Sequence, residues 1–166
     1  VGMEPAVKPA AMATRTGVVG VLATAGSLGG DLFLRTSARY ADRARFIAAV
    51  GEGFVEIVEQ SREATPEAEE AVRRVVEPLL DEGADQIVLG CTHYPFLREV
   101  IERVIGEREV AVIDPAPAVA RRVEQLLDQF NLRADEGNEA QYHFKTFASD
   151  DYLNRLTHKA SEIISR

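Results

Sequence analysis

Hydrophobic positions along the chain follow two rhythms. Short unbroken apolar runs, rich in β-branched residues, occupy 18–23, 46–50, 87–89 and 110–113. Between them, apolar side chains return every three or four residues. One such set is Val72, Val75, Val76, Leu79 and Leu80, a second is Phe96, Leu97, Val100, Ile101 and Val104, and a third is Val119, Val123, Leu126, Leu127 and Phe130. A continuous apolar run fits a strand buried on both faces of a parallel sheet, and the wider spacing fits a helix that buries one side. Strand and helix therefore alternate, which predicts an α/β fold: a doubly wound parallel sheet flanked by helices, built with right-handed crossovers.

Local signals set the boundaries. Thr65-Pro66-Glu67 combines a cap, a proline at the first helical position and an acid in the first turn, so a helix starts there and reaches Asp81, with Gly83 beyond it. Pro78 inside that helix predicts a kink or a restart. Ser27 is expected to cap a helix running to about residue 40, with Gly29 and Gly30 weakening its first turn. Thr92 or His93 is expected to cap the helix over 95–105, with Pro95 in its first turn. Shorter helices are expected over 5–12 and 54–60, another opens at Asp114 and Pro115, and Asp150 begins a last one through Ile164. Residues 133–140 read as an exposed connection, and Tyr142, Phe144, Thr146 and Phe147 predict a fifth strand.

Composition narrows the class. The 166 residues suit one domain, or one domain plus part of another, and 46% hydrophobic content supports a packed core and argues against disorder. A formal charge of -8 disfavours nucleic acid and anionic membrane surfaces as partners. One cysteine excludes an internal disulfide framework. No apolar run reaches membrane-spanning length and no secretory leader is recognisable, so a cytoplasmic location is expected. The chain opens on Val1 rather than Met, which hints at truncation.

Candidate chemistry gathers at strand ends. Thr24 to Ser27, Cys91 to His93, and Asp114 each follow an apolar run. In a parallel sheet all three turns face one edge, where hydroxyls and helix N–H groups suit a small carboxylate. Cys91 stands just past a strand and just before a helix, where the helix dipole favours a thiolate. A lone cysteine is more often a small buried hydrophobe, but Gly90, Thr92 and His93 around it tip the reading toward function. With His93 beside it, the thiolate serves either as a nucleophile or as a general base. A phosphatase loop is disfavoured because Arg98 lies beyond the helix start at Pro95. A metal site is disfavoured because His143 and His158 lack ligand spacing. By position alone Glu59 is an ordinary solvated acid.

The stretch Leu89-Gly90-Cys91-Thr92-His93-Tyr94-Pro95 resembles the second catalytic motif of glutamate racemases, within the aspartate/glutamate racemase superfamily. Other stretches agree in order. Residues 2–10 look like the segment leading into that family's second domain, and residues 20–27 look like its threonine-bearing turn, with Ala23 where Gly is common and Ser27 in place of Thr. Residues 54–59 look like its acidic helix, and 112–116 like its crossover back to the first domain. The family's Asp-Ser-Gly and Cys-Asn-Thr motifs are absent, so the resemblance implies the C-terminal part of a two-domain subunit, about 60% of it by domain size. Residues 1–116 would then be a flavodoxin-like second domain carrying Cys91. Residues 117–166 would be a helix-strand-helix segment that packs on the first domain. The implied chemistry is cofactor-independent racemisation by two cysteines, with Cys91 as one of them and His93 and Glu59 as helpers. Thr92, Thr24 and Ser27 would hold the substrate's polar groups. Glutamate is the implied ligand, and association through an exposed domain interface, as a homodimer, is expected of this portion alone. An aspartate or hydantoin racemase, a maleate isomerase-like enzyme and a non-catalytic interaction module are the alternatives.

Overall fold

The computed structural model describes residues 6–28, 30–135 and 137–164. Residues 2–5 of the segment that resembles the family's lead into its second domain, and Gly29, lie outside the described residues. Helix α1 (Val7–Ala13) leads into β1 (Val18–Ala23). Then come α2 (Ala25–Leu28), α3 (Asp31–Ala38), β2 (Arg45–Val50), α4 (Phe54–Glu59) and α5 (Pro66–Asp81). Strand β3 (Gln86–Leu89) is followed by one 3-10 turn (Tyr94–Leu97), α6 (Arg98–Ile105), β4 (Ala111–Ile113), α7 (Ala116–Gln129) and α8 (Asp150–Ile164). The four strands pair in parallel in the order β2-β1-β3-β4. The predicted α/β architecture, a parallel sheet flanked by helices, is the one observed.

The apolar runs are continuous because both faces of the sheet are covered. Leu22, Ile87 and Leu89 belong to a core shared with α4, α5 and α6, while Val19, Val21 and Val88 face the opposite way, into a core shared with α1 and α3. Strand alternation thus persists, hidden because both sides are apolar. Helix α5 shows the amphipathic counterpart: Ala68, Val72, Val76 and Leu79 are buried, and Thr65 caps its start by accepting from the Ala68 N–H at 3.3 Å.

Several expectations are corrected. The helix expected over 27–40 is two helices, α2 and α3, because the chain is extended at Gly30 (φ −74°, ψ 135°). The cap there is Thr24, not Ser27: the Thr24 hydroxyl accepts from the Ser27 N–H at 3.3 Å, and Ser27 lies within α2. The helix after β3 starts as a 3-10 turn, and His93 precedes it without a side-chain cap bond. Pro78 does not restart α5, which is assigned unbroken to Asp81. The fifth strand is absent. Residues 141–147 carry no strand and pair with none of the four, and Tyr142 and Phe147 are exposed. Alternating side chains supply no ladder, since a strand needs a neighbour for its N–H and C=O groups.

At the amino-terminal rim of the sheet, Asp85 is 97% buried (3% exposed) and fastens the α1–β1 loop to β3. Its carboxylate accepts from the Thr14 hydroxyl at 2.5 Å, the Arg15 N–H at 2.6 Å and the Thr16 N–H at 3.2 Å. Burial acts to raise its pKa, but the bonds from Thr14, Arg15 and Thr16 outweigh it and hold the carboxyl below its ordinary value.

Candidate active site

The strand order fixes where a ligand can sit. From β1 the chain winds outward to β2 and then returns to β3 on the other side of β1, so the winding reverses between β1 and β3. In open α/β sheets the crevice at that reversal, beyond the carboxyl ends of the strands, is the usual ligand site. The turn after β1 carries Thr24 and Ser27, and the turn after β3 carries Cys91, Thr92 and His93. Gly90 lets the two turns close up: its N–H donates to the Leu22 carbonyl at 2.7 Å, and a Cβ there would meet that oxygen at 2.9 Å.

Cys91 is half-buried, with Sγ 3.9 Å from His93 Nδ1. The other ring nitrogen, Nε2, lies 3.5 Å from Glu59 Oε1, which reaches over from the end of α4. Sulfur, imidazole and carboxylate therefore stand in line. Thr24 and Ser27 share a hydroxyl–hydroxyl bond of 2.9 Å, and Thr92 is exposed beside His93. Asp114 accepts from the Ala116 N–H at 2.8 Å. Arg98 bonds Glu102 at 2.8 Å and the Val112 carbonyl at 3.1 Å instead of addressing the Cys91 turn. His143 is exposed in the 141–147 segment, and His158 lies on α8. Among the described residues, no three His, Cys, Asp or Glu side chains are grouped to hold a metal ion. No described helix is long and apolar enough to cross a membrane.

Tyr94 anchors the turn from below. It is fully buried, packs edge-on against Phe54 (centroids 5.2 Å apart, planes at 71°), and its hydroxyl donates to the Gly51 carbonyl at 3.4 Å. Burial, with Cys91 as the next contributor, pushes its hydroxyl up to about 12, so it stays protonated at neutral pH. Gly51 has no Cβ because one would lie 2.5 Å from the Phe54 ring and 2.6 Å from the Tyr94 oxygen.

A cleft of about 240 Å³ opens beside His93 and Glu59, walled by Val58, Phe96 and α8. From α8, Tyr152 donates to Glu59 Oε1 at 3.3 Å and Arg155 to the Glu59 carbonyl at 3.0 Å. Lys159 pairs with Glu63 and sits 5.0 Å from the centre of the Phe96 ring. The residues alone singled out none of these three α8 side chains. Their spacing of three and four along the helix from Asp150 is the only signal the sequence offers for them.

The chain is similar to curated glutamate racemases. That of Pseudomonas entomophila strain L48 is 44% identical over 156 residues, covering 94% of this chain and 58% of the relative. That of Pseudomonas putida KT2440 is 42% identical over 169 residues, covering 99% and 63%. The chain thus spans about three fifths of their length. Among solved structures, Escherichia coli glutamate racemase in complex with L-glutamate and the activator UDP-MurNAc-ala is 29% identical, with a TM-score of 0.77 over 96% of this chain and 60% of that one. Thermus thermophilus glutamate racemase in complex with β-chloro-D-alanine is 30% identical, with a TM-score of 0.68 over 90% and 57%. The family model for Asp/Glu/hydantoin racemases matches residues 1–123, strand ends and Cys91 turn included, and the chain belongs to that family.

Proposed function

We propose that this chain carries one of the two thiol bases of a glutamate racemase, the enzyme that supplies D-glutamate for peptidoglycan in the cytoplasm. The observation that carries the reading is the Cys91–His93–Glu59 line at the winding reversal of the sheet. A thiolate at Cys91 removes the Cα proton from one face of the bound amino acid and leaves a carbanion. A thiol on the opposite face then delivers a proton, and the stereocentre inverts. One sulfur cannot reach both faces, so a second thiol is required. His93 supports Cys91, Glu59 supports His93, and Thr24, Ser27 and Thr92 hold the substrate's polar groups. The chemistry needs no cofactor.

In this reading the second thiol comes from the portion of the relatives that this chain does not span. Residues 117–132 carry an apolar surface suited to that portion: α7 buries no residue, and Phe130 and Leu132 are exposed, whereas α8 lies against Glu59, Glu63 and Phe96. The 166-residue chain alone is therefore expected to self-associate, and a compact monomer in sedimentation would count against that assignment.

The test is complementation. The chain is mixed with, or fused to, the amino-terminal portion of the Pseudomonas putida relative, and glutamate Cα exchange is followed in D2O. Racemisation is expected from the pair and not from the chain alone. Cys91→Ala should lower it at least about a thousandfold, equivalent to roughly 4 kcal/mol of barrier. Full racemisation by the chain alone, or by the complemented Cys91→Ala variant, refutes the two-thiol account. Aspartate turned over faster than glutamate refutes the substrate.

A further inference from the structure

We propose that Tyr152 is a positioning residue, whose hydroxyl on α8 holds Glu59 against His93 and so sets the reactivity of Cys91. The inference rests on the two-thiol reading for its purpose but not for its test.

The geometry is a line of four side chains. Tyr152 Oη donates to Glu59 Oε1 at 3.3 Å, the same oxygen lies 3.5 Å from His93 Nε2, and His93 Nδ1 lies 3.9 Å from Cys91 Sγ. Glu59 is the flexible link, since its side chain keeps 39% of its exposure and would turn to solvent if nothing held it. A buried-side phenol donor fixes one carboxylate oxygen toward the imidazole. Burial and the negative charge of Glu59 both raise the Tyr152 pKa, so it stays a donor through neutral pH.

The helix itself is held by three contacts. Arg155 bonds the Glu59 carbonyl at 3.0 Å, Lys159 pairs with Glu63, and the Lys159 ammonium sits 5.0 Å from the Phe96 ring centre. Among the described residues, His93, Tyr152 and Arg155 are charged or titratable groups that meet Glu59. Asp151 pairs with Arg155 one turn away. A carboxylate held at Nε2 stabilises positive charge on the ring whose other nitrogen faces the sulfur, and loss of the Tyr152 hydroxyl frees that carboxylate and weakens the support.

Cys91 is the only cysteine, so alkylation of the chain reads this site alone. The experiment measures the pH–rate profile of iodoacetamide modification by mass spectrometry for the parent, Tyr152→Phe, Glu59→Gln, the double variant and Lys159→Met. Tyr152→Phe should move the profile to higher pH by about half a unit or less, the size expected of a part-exposed ion pair. Glu59→Gln should move it at least as far, and the double variant no further than Glu59→Gln, because both act through one contact. Lys159→Met, which loosens α8 without touching Glu59, should move it less than Tyr152→Phe. A Tyr152→Phe profile that superimposes on the parent while Glu59→Gln shifts overturns the inference and leaves the reading of the site standing. An equal shift in Lys159→Met overturns it too, by assigning the effect to helix docking. No shift in Glu59→Gln removes the His93–Glu59 support and overturns the inference, while the two-thiol account is decided by the racemisation assay.

Discussion

At its amino end β3 follows Asp85, buried and bonded by three donors within 3.2 Å; at its carboxyl end it leads to Cys91, half-exposed, with His93 Nδ1 at 3.9 Å. Both side chains can carry a negative charge, and four residues of strand separate the ends. One end is saturated with short hydrogen bonds and serves the fold. The other is left loosely bonded, as a group must be if it is to give up or accept a proton. Saturation and reactivity are alternative uses of the same charge.

The sharpest way to break that contrast is Asp85→Ala. It takes the acceptor from the Arg15 and Thr16 N–H groups and leaves the Thr14 hydroxyl only the Val18 carbonyl at 3.5 Å, and should lower stability by about 3 kcal/mol. A urea midpoint measures the loss, and the alkylation rate of Cys91 in the folded variant should stay within about twofold of the parent. Gly51→Ala comes next. Its methyl would enter the Phe54–Tyr94 contact at 2.5 Å, and overpacking of that kind costs about 2 kcal/mol. Because Tyr94 underlies the Cys91 turn, this variant should also slow the complemented enzyme, which a racemisation assay checks.

Acid provides a subtler break. The folded-state pKa of Asp85 lies below its unfolded value, so its contribution is fully present above the unfolded carboxyl range, near pH 4, and is lost as pH falls through the folded value. The parent should therefore lose more stability across that acid range than Asp85→Asn does, as seen in urea midpoints taken at stepped pH. The smallest effect is expected from Cys91→Ala on stability. Its thiol is half-exposed and unpaired by any short bond, so the urea midpoint should change by less than about 1 kcal/mol. A large destabilisation would make Cys91 a structural residue and erase the contrast.

The two ends of β3 were not equally legible. The apolar run Ile87–Leu89 announces a strand buried on both faces, and the glycine, cysteine and histidine after it announce a turn with chemistry. Asp85 gave no such signal, because an acid beside a turn is usually solvated, and only the folded loop from Thr14 to Thr16 reveals three donors around it. Glu59 was dismissed on position alone and entered through the family resemblance. Its place beside His93 depends on how α4 returns to the rim, a tertiary fact. Tyr152 is further still from view, because it meets Glu59 across 93 residues of chain. The aromatic alternation at 142–147 misled for the complementary reason: a local pattern was present and the neighbour it needed was not.

The hydroxyls of Thr24 and Ser27 are bonded to each other across 2.9 Å at the rim. Only one of the two hydroxyl hydrogens is spent in that bond, so an incoming carboxylate gains one contact outright and takes the second only by breaking the pair. The second contact is then worth the difference between a charge-assisted bond and the neutral one it replaces. On the proposed reading, such a rim would select by geometry more than by strength of hold and release its guest readily, as an exchange between mirror images requires.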